Sequence, residues 1–242
     1  MPVLDLTDAV KAYRPTLGWF TRRLPALAWL WSLYCVVLSA DYVIAGSMRH
    51  SEPLLGIAVF VTIGLLFLAP AVALAPVWAQ ERERGTLTGL ALAPLSSTDL
   101  WVLVLRARVL PSILGLAPGA ISLVVGICLV ERMGNAGFLA LLLILWWVLN
   151  GAAFAFAVAA WTATYCRTTA TCVAVALVVT LGGELLLLIG SGFLLVLLSS
   201  LRLPEFLAIV LGFLLPCAGN AFPASRLATS AANRLADALA EP

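Results

Sequence analysis

Charged side chains are scarce in this sequence of 242 residues, since Asp, Glu, Lys and Arg together make up only 11% of it. Soluble domains contain about 25% charged and roughly 45–50% apolar residues, whereas this chain is 63% hydrophobic, with a mean hydropathy of +1.08. A water-soluble fold of this length cannot bury so much apolar surface, but a lipid bilayer is itself an apolar solvent. The composition therefore excludes a soluble domain and predicts an integral membrane protein.

Residue types that build metal sites and disulfides are also few. The one histidine, His50, is expected in a loop after the first span, and the five cysteines show no C-x-x-C spacing. Metal binding and disulfide formation therefore lack support in the sequence. Membrane-embedded enzymes gather His, Asp, Glu or Cys on facing spans. That constellation is missing here, so an embedded enzyme is kept only as an alternative.

Long stretches without charge locate the membrane spans. A helix rises about 1.5 Å per residue, so about 20 residues cross a hydrocarbon core of about 30 Å. We therefore predict an all-α protein with about six spans, preceded by an amphipathic surface helix within residues 1–23 and followed by a surface helix in the tail, 222–242. The second span is expected to kink near Pro70 and Pro76. The predicted spans are 24–46, 54–79, 102–130, 136–163, 169–189 and 204–221.

The distribution of basic residues predicts the orientation. With six spans and a cytoplasmic N-terminus, eleven basic residues lie inside and three outside, which satisfies the positive-inside rule. The inverted topology would violate that rule. The three predicted outside are Arg49, Arg132 and Arg202.

The region between Arg167 and Arg202 is less regular than the others. One straight helix of this length would be about 51 Å long, too long for one bilayer, and two full spans would leave no residues for a turn. Gly190-Ser191-Gly192 offers a break. We therefore predict that span 5 ends near residue 189 and that 193–201 forms a short re-entrant or interfacial helix at the outer face.

A polar island, residues 80–100, separates spans 2 and 3. Glu81 and Arg84 are three residues apart and can pair on one helix face, Gly85 can end that helix, and Ser96 with Asp99 fits a capping box that starts the next. Local chemistry thus predicts helix, break, short helix, break and helix. On these grounds alone, the island is either a functional protrusion or a charged loop that anchors two spans.

The island closely resembles the signature of ABC-2-type permeases, the membrane subunits of ATP-binding cassette exporters. In that family a pattern close to E-R-E-x-G-T-L follows span 2 and is followed by P-L-S. The segment 161–170 also resembles the family's cytoplasmic link between spans 4 and 5. One departure is Leu103-Val104, where many members carry Gly-Lys, so that Arg106 or Arg108 would supply the positive charge. The matching residues are Glu81, Arg82, Glu83, Arg84, Gly85, Thr86, Leu87, Pro94, Leu95 and Ser96.

The resemblance implies that the whole chain, 1–242, is one permease domain in the cell (inner) membrane. Its coupling helix, between Glu81 and Ser97, would dock on a separate ATPase subunit and carry that subunit's motion to an export path. ATP and Mg would be bound by the partner, because this chain has no G-x-x-x-x-G-K-[ST] sequence and its only lysine is Lys11. The chain itself would not be an enzyme. A second permease copy, identical or related, would complete the path, and no nucleic acid is expected.

Glu184 is the one acidic residue deep in a predicted span. Such residues face protein or water rather than lipid, so Glu184 lies either on the substrate path or dimer seam, or hydrated at the outer interface beside the short helix. Paired intramembrane charges and duplicated halves would indicate an ion-coupled carrier, and Glu184 has no counterpart in the first half of the chain. A secondary transporter or channel therefore stands as the second alternative.

Overall fold

A computed structural model describes residues 19–45, 52–83, 97–130, 135–200 and 205–240, and the regular secondary structure in these ranges is entirely helical. Five helical segments are long and apolar enough to cross a membrane, which confirms the predicted membrane character and helical class. The helices are α1 (Trp19–Ala45), α2 (Glu52–Ala73), α3 (Val77–Glu83), α4 (Ser97–Val104), a π-helical turn (Leu105–Val109), α5 (Leu110–Val130), α6 (Asn135–Tyr165), α7 (Thr169–Ser200) and α8 (Glu205–Ala240).

The second spanning segment, predicted to kink near Pro70 and Pro76, is interrupted at a turn that contains Pro76. Pro70 stays within α2, and a turn at 74–76 separates α2 from α3. Pro76 has no backbone N–H to donate, but its carbonyl accepts the N–H of Gln80 at 2.8 Å and so starts α3. The turn redirects the chain without leaving the bundle, since Leu74 and Val77 are both buried.

The predicted break at 190–192 is wrong. α7 runs without interruption for 32 residues, so the separate helix predicted at 193–201 does not form. Ser191 Oγ instead donates to the carbonyl of Leu187 within the helix, at 2.6 Å. Glycine costs a helix about 1 kcal/mol, whereas backbone groups left unpaired in lipid cost several. An uninterrupted helix of about 48 Å therefore has the lower free energy. Because it is longer than the hydrocarbon core is thick, it must tilt or extend beyond the core.

The predicted tail helix is likewise not separate. α8 continues through Pro216 and Pro223 to Ala240, for 36 residues. The apolar stripe expected to lie on a membrane surface packs on the protein itself, because Ala231 and Leu235 are buried and Leu227 packs beside them. The first half of α8 is free of charge from Phe206 onward, but α8 is not among the five described segments that are long and apolar enough to span a membrane.

Two glycines of α5 pack closely against α1 within the chain. A Cβ at Gly119 would lie 2.7 Å from Ser32 Cα, and one at Gly115 would lie 2.9 Å from Ala28 Cβ. These glycines therefore let α5 approach α1 closely, in the manner of small-residue contacts between membrane helices.

Two apolar cores order the bundle. One joins α1, α2 and α5 around Cys35, Tyr42 and Leu123. The other joins α3, α4 and parts of α6, α7 and α8, and contains Trp78 and Leu235. We call the end of the bundle around this second core the charged end, because every arginine in the described ranges lies there. These arginines are Arg22, Arg23, Arg82, Arg106, Arg108, Arg167, Arg226 and Arg234.

Candidate functional site

The candidate site is built on α3, the short helix at the charged end. Gln80, Glu81, Arg82 and Glu83 follow one another in its last turn. Because successive helical residues point about 100° apart, these four side chains reach different neighbouring helices. The turn at 74–76 sets their position, since it brings α3 against the π-helical turn on one side and α6 and α7 on the other.

Glu81 points into the bundle toward the π-helical turn. Its Oε1 lies 3.8 Å from Arg108 Nη2, and Arg108 Nη1 donates to Gln80 Oε1 at 3.0 Å. Glu81 is 5% exposed and Arg108 is 1% exposed. This is a buried ion pair, and buried pairs hold their geometry because separating them leaves charge away from water.

The structure thus assigns the buried positive charge to Arg108, whereas Arg106 is exposed. The sequence left the choice between the two open. It also predicted that Glu81 would pair with Arg84, which lies outside the described residues. The π-helical turn carries Arg108, and sequence periodicity gave no signal for that turn.

Arg82 reaches the end of α6. Its Nη2 donates to the carbonyls of Ala163 and Cys166, both at 3.0 Å, and its Nε donates to the carbonyl of Trp78 at 3.2 Å. The last carbonyls of a helix have no partner within the helix and carry a partial negative charge. Arg82 therefore caps the C-terminus of α6.

Glu83, the next residue, caps the N-terminus of α7. Its carboxylate accepts the backbone N–H of Thr169 at 3.0 Å and the Thr169 hydroxyl at 2.9 Å. A carboxylate at a helix N-terminus satisfies a free N–H and meets the positive end of the helix dipole. We call this pair of contacts the Arg82–Glu83 clamp, since two neighbouring side chains hold both ends of the 166–168 link.

The link itself is tightened by local contacts. Thr168 and Thr171 share a hydrogen bond, and the Cys172 thiol faces the carbonyls of Thr162 and Cys166. Cys172 and Thr162 are fully buried. The cysteine thus packs as a buried structural thiol.

Three of the ten predicted coupling residues, Glu81, Arg82 and Glu83, lie in the described part of the chain, and the structure brings all three to one site. Sequence reasoning did not foresee that the clamp would join α3 to the 161–170 link, although it had singled out both segments. The remaining predicted residues lie outside the described residues. They are Arg84, Gly85, Thr86, Leu87, Pro94, Leu95 and Ser96.

Glu184 lies far from this site, halfway along α7. It is 4% exposed, and its Oε1 accepts Asn220 Nδ2 of α8 at 2.9 Å. The alternative of a hydrated Glu184 beside a short outer helix is therefore wrong, because the carboxylate is buried and α7 continues past it.

An apolar groove of about 660 Å³ opens between two sets of helices. One side is formed by α4, the π-helical turn and the start of α5, and the other by α6 and α8. Leu105, Ile113, Phe156 and Ala228 are among the residues that line it, and Glu184 is not. Within the described residues, no group of three His, Cys, Asp or Glu side chains could hold a metal ion.

Comparisons with known proteins leave the chain without an assigned relative. No protein-family model, no curated protein and no solved structure matches it. Any functional assignment must therefore come from the motif at residues 81–96 and from the geometry of the charged end.

Proposed function

We propose that this chain is the membrane-spanning permease subunit of an ABC-2-type, ATP-driven exporter. The observation that carries the proposal is the position of the motif. Its first residues, Glu81 to Glu83, stand at the end of a long apolar segment and contact the ends of two others. The coupling segment that follows, 84–96, is thus attached to a rigid base.

A push on this segment would move several spans together. Glu81 ties α3 to the helix that continues into α5, and the Arg82–Glu83 clamp ties α3 to α6 and α7. Hydrogen bonds in which one partner is charged are about twice as strong as neutral ones. Displacing α3 alone would break several of them, so a concerted movement costs less.

The orientation follows from the arginines. Their location at the charged end supports a cytoplasmic charged end under the positive-inside rule, as does the count of basic residues in the sequence. With α8 as the sixth span, the N-terminus and the 84–96 segment would both be cytoplasmic. An ATPase subunit could then reach the coupling segment, and the host membrane would be the cell (inner) membrane.

The proposal requires partners. ATP and Mg would be bound by a separate ATP-binding cassette subunit, since the sequence contains no phosphate-binding loop. Two permease chains, identical or related, would form the path, and this chain would couple hydrolysis to translocation without being an enzyme. Export is proposed on the family resemblance.

Photocrosslinking tests the contact directly. A photoreactive amino acid replaces Leu87 in the motif or, as the matched control, Met133 between α5 and α6. In the native host, we expect the photoreactive residue at position 87 to capture an ATP-binding cassette subunit and the one at position 133 to capture none. Mass spectrometry identifies the captured subunit by its phosphate-binding loop peptide.

Labelling with a membrane-impermeant maleimide checks the orientation in a cysteine-free background. Leu87→Cys should react only in inverted vesicles and Met133→Cys only in intact cells. Reaction of Leu87→Cys from outside, or capture of no ATPase from position 87, would refute the proposal. The second result would favour the ion-coupled carrier, for which the buried Glu184 is the supporting observation.

A further inference from the structure

A buried polar pair joins α7 to α8 at mid-membrane, away from the charged end. Glu184 and Asn220 are 4% and 0% exposed, and Asn220 Nδ2 donates to Glu184 Oε1 at 2.9 Å. Glu184 Oε2 and Asn220 Oδ1 have no hydrogen-bond partner among the described residues. Two buried acceptor atoms thus lack a donor.

In the part of the chain that the structure describes, the groups around the pair supply no positive charge. From α6, Trp147 lies beside the carboxylate, but its Nε1 makes no hydrogen bond of standard geometry within the described ranges. Phe67 of α2 is an apolar neighbour of the carboxylate, and Phe154 of α6 packs against Gly183, the residue before Glu184. Among the described residues, the titratable group that faces Glu184 is the Cys217 thiol of α8. The described arginines all lie at the charged end.

Gly151 gives the carboxylate room on its Oε1 side. A Cβ at Gly151 would lie 2.8 Å from Glu184 Oε1 and 2.7 Å from Phe67 Cζ. The packing is therefore close on this side of the carboxyl group. A hydrated cation or an organic amine needs a cavity, whereas a proton needs none.

We infer that Glu184 and Asn220 form a proton-binding site, in which Glu184 is held as the neutral carboxylic acid with its proton on Oε2. An isolated carboxylate buried away from water is strongly disfavoured and takes up a proton instead. The acid needs no counter-cation, and the Asn220 amide remains hydrogen-bonded to Oε1. The inference depends on the membrane fold and not on the proposed ATPase partner.

The protonation state of Glu184 would depend on the contact between α7 and α8. While the two helices are packed, the proton stays on Glu184. If they separate and water enters, the carboxylate becomes solvated and the proton passes to that water. Closure would take one proton back, so that each opening and closing of this contact releases and rebinds one proton.

Infrared spectroscopy of the full chain in lipid nanodiscs tests the inference. At neutral pH, the wild type should show the carbonyl band of a protonated carboxylic acid, shifted by exchange into D₂O, and Glu184→Gln should lose it. Glu83→Gln at the charged end is the matched control and should leave the band unchanged. A wild-type spectrum with carboxylate bands alone would overturn the site.

Carbodiimide labelling of the wild type gives a second readout if Glu184→Gln does not fold. Dicyclohexylcarbodiimide reacts with protonated carboxyl groups in apolar surroundings and leaves a stable adduct. We expect the adduct on Glu184 at neutral pH and its loss at strongly alkaline pH. Protection by Na⁺ or Li⁺ would show a metal-cation site instead, and absence of the adduct at every pH would contradict protonation.

Discussion

Acidic side chains with defined partners occur in two regions of this protein, and their surroundings are opposite. At the charged end, Glu81 faces the Arg108 guanidinium at 3.8 Å, and Glu83 accepts the N–H at the start of α7. Halfway along α7, Glu184 accepts a hydrogen bond from the neutral amide of Asn220 and lies beside the Trp147 indole. Positive charge is available where a span ends, because arginine side chains and helix termini lie there. Glutamate side chains at the charged end therefore have positive partners that stabilise the carboxylate. The surroundings of Glu184 favour the neutral acid instead.

The largest expected effect comes from breaking the buried ion pair. Glu81→Gln removes the carboxylate that faces buried Arg108 and should lower the free energy of unfolding by about 3 kcal/mol. Unfolding by denaturing detergent measures the change. Arg106→Gln, at an exposed position two residues from Arg108, is the control.

A double variant separates charge from packing in this pair. Glu81→Leu with Arg108→Met replaces both charges with apolar groups and should recover most of the lost stability. If the double variant is as unstable as Glu81→Gln, the two side chains stabilise the protein by packing or hydrogen bonding and not only by cancelling each other's charge.

The second effect tests how tightly the mid-membrane site is packed. Gly151→Ala places a Cβ within 2.8 Å of Glu184 Oε1, and overpacking of this kind costs about 1–3 kcal/mol. Gly182→Ala, where a Cβ meets nothing within 4 Å, should be neutral or stabilising by about 0.5 kcal/mol. Equal stability of the two variants, in the same unfolding assay, would contradict the described packing.

The third effect concerns the clamp. Glu83→Ala removes the cap on α7 and should cost about 1 kcal/mol, with faster hydrogen exchange at the first amides of α7. Asp237→Ala, an exposed acid near the end of α8, should leave exchange in α7 unchanged. Unaltered exchange at Thr169 in Glu83→Ala would show that the cap does not hold the helix.

The smallest effect is the most informative for the comparison. Glu184→Gln replaces a neutral acid with a neutral amide of the same shape, so the free energy of unfolding should change by about 0.5 kcal/mol or less. The identical substitution at Glu81 is expected to cost several times more. A loss at Glu184 as large as that at Glu81 would mean that Glu184 is a paired charge, and the contrast between the two regions would disappear.

Much of the fold could be predicted from the sequence because lipid imposes simple requirements on a chain. Charge-free length predicted the spanning segments, and Pro70 with Pro76 predicted the interruption before α3. The errors concern continuity. A break was predicted at Gly190-Ser191-Gly192 and a separate helix in the tail at 222–242, but α7 and α8 are continuous. Unpaired backbone groups in lipid cost more than unfavourable helix residues.

The candidate site was predicted only in part. Glu81, Arg82 and Glu83 were identified from the motif, but their partners lie 27, 84 and 86 residues along the chain. Arg108, Cys166 and Thr169 are not linked to them by any local pattern. The π-helical turn that carries Arg108 leaves no mark on the hydrophobic periodicity, so its buried guanidinium could not be foreseen.

By itself, the sequence determined that this protein lies in a membrane, that its regular structure is helical and where its charges are concentrated, because composition and charge-free length act through the solvent alone. Only the tertiary structure decided that Arg82 and Glu83 cap two other helices and that Glu184 meets an amide instead of an arginine. Those outcomes depend on which helices pack together, and packing brings together residues that are far apart along the chain.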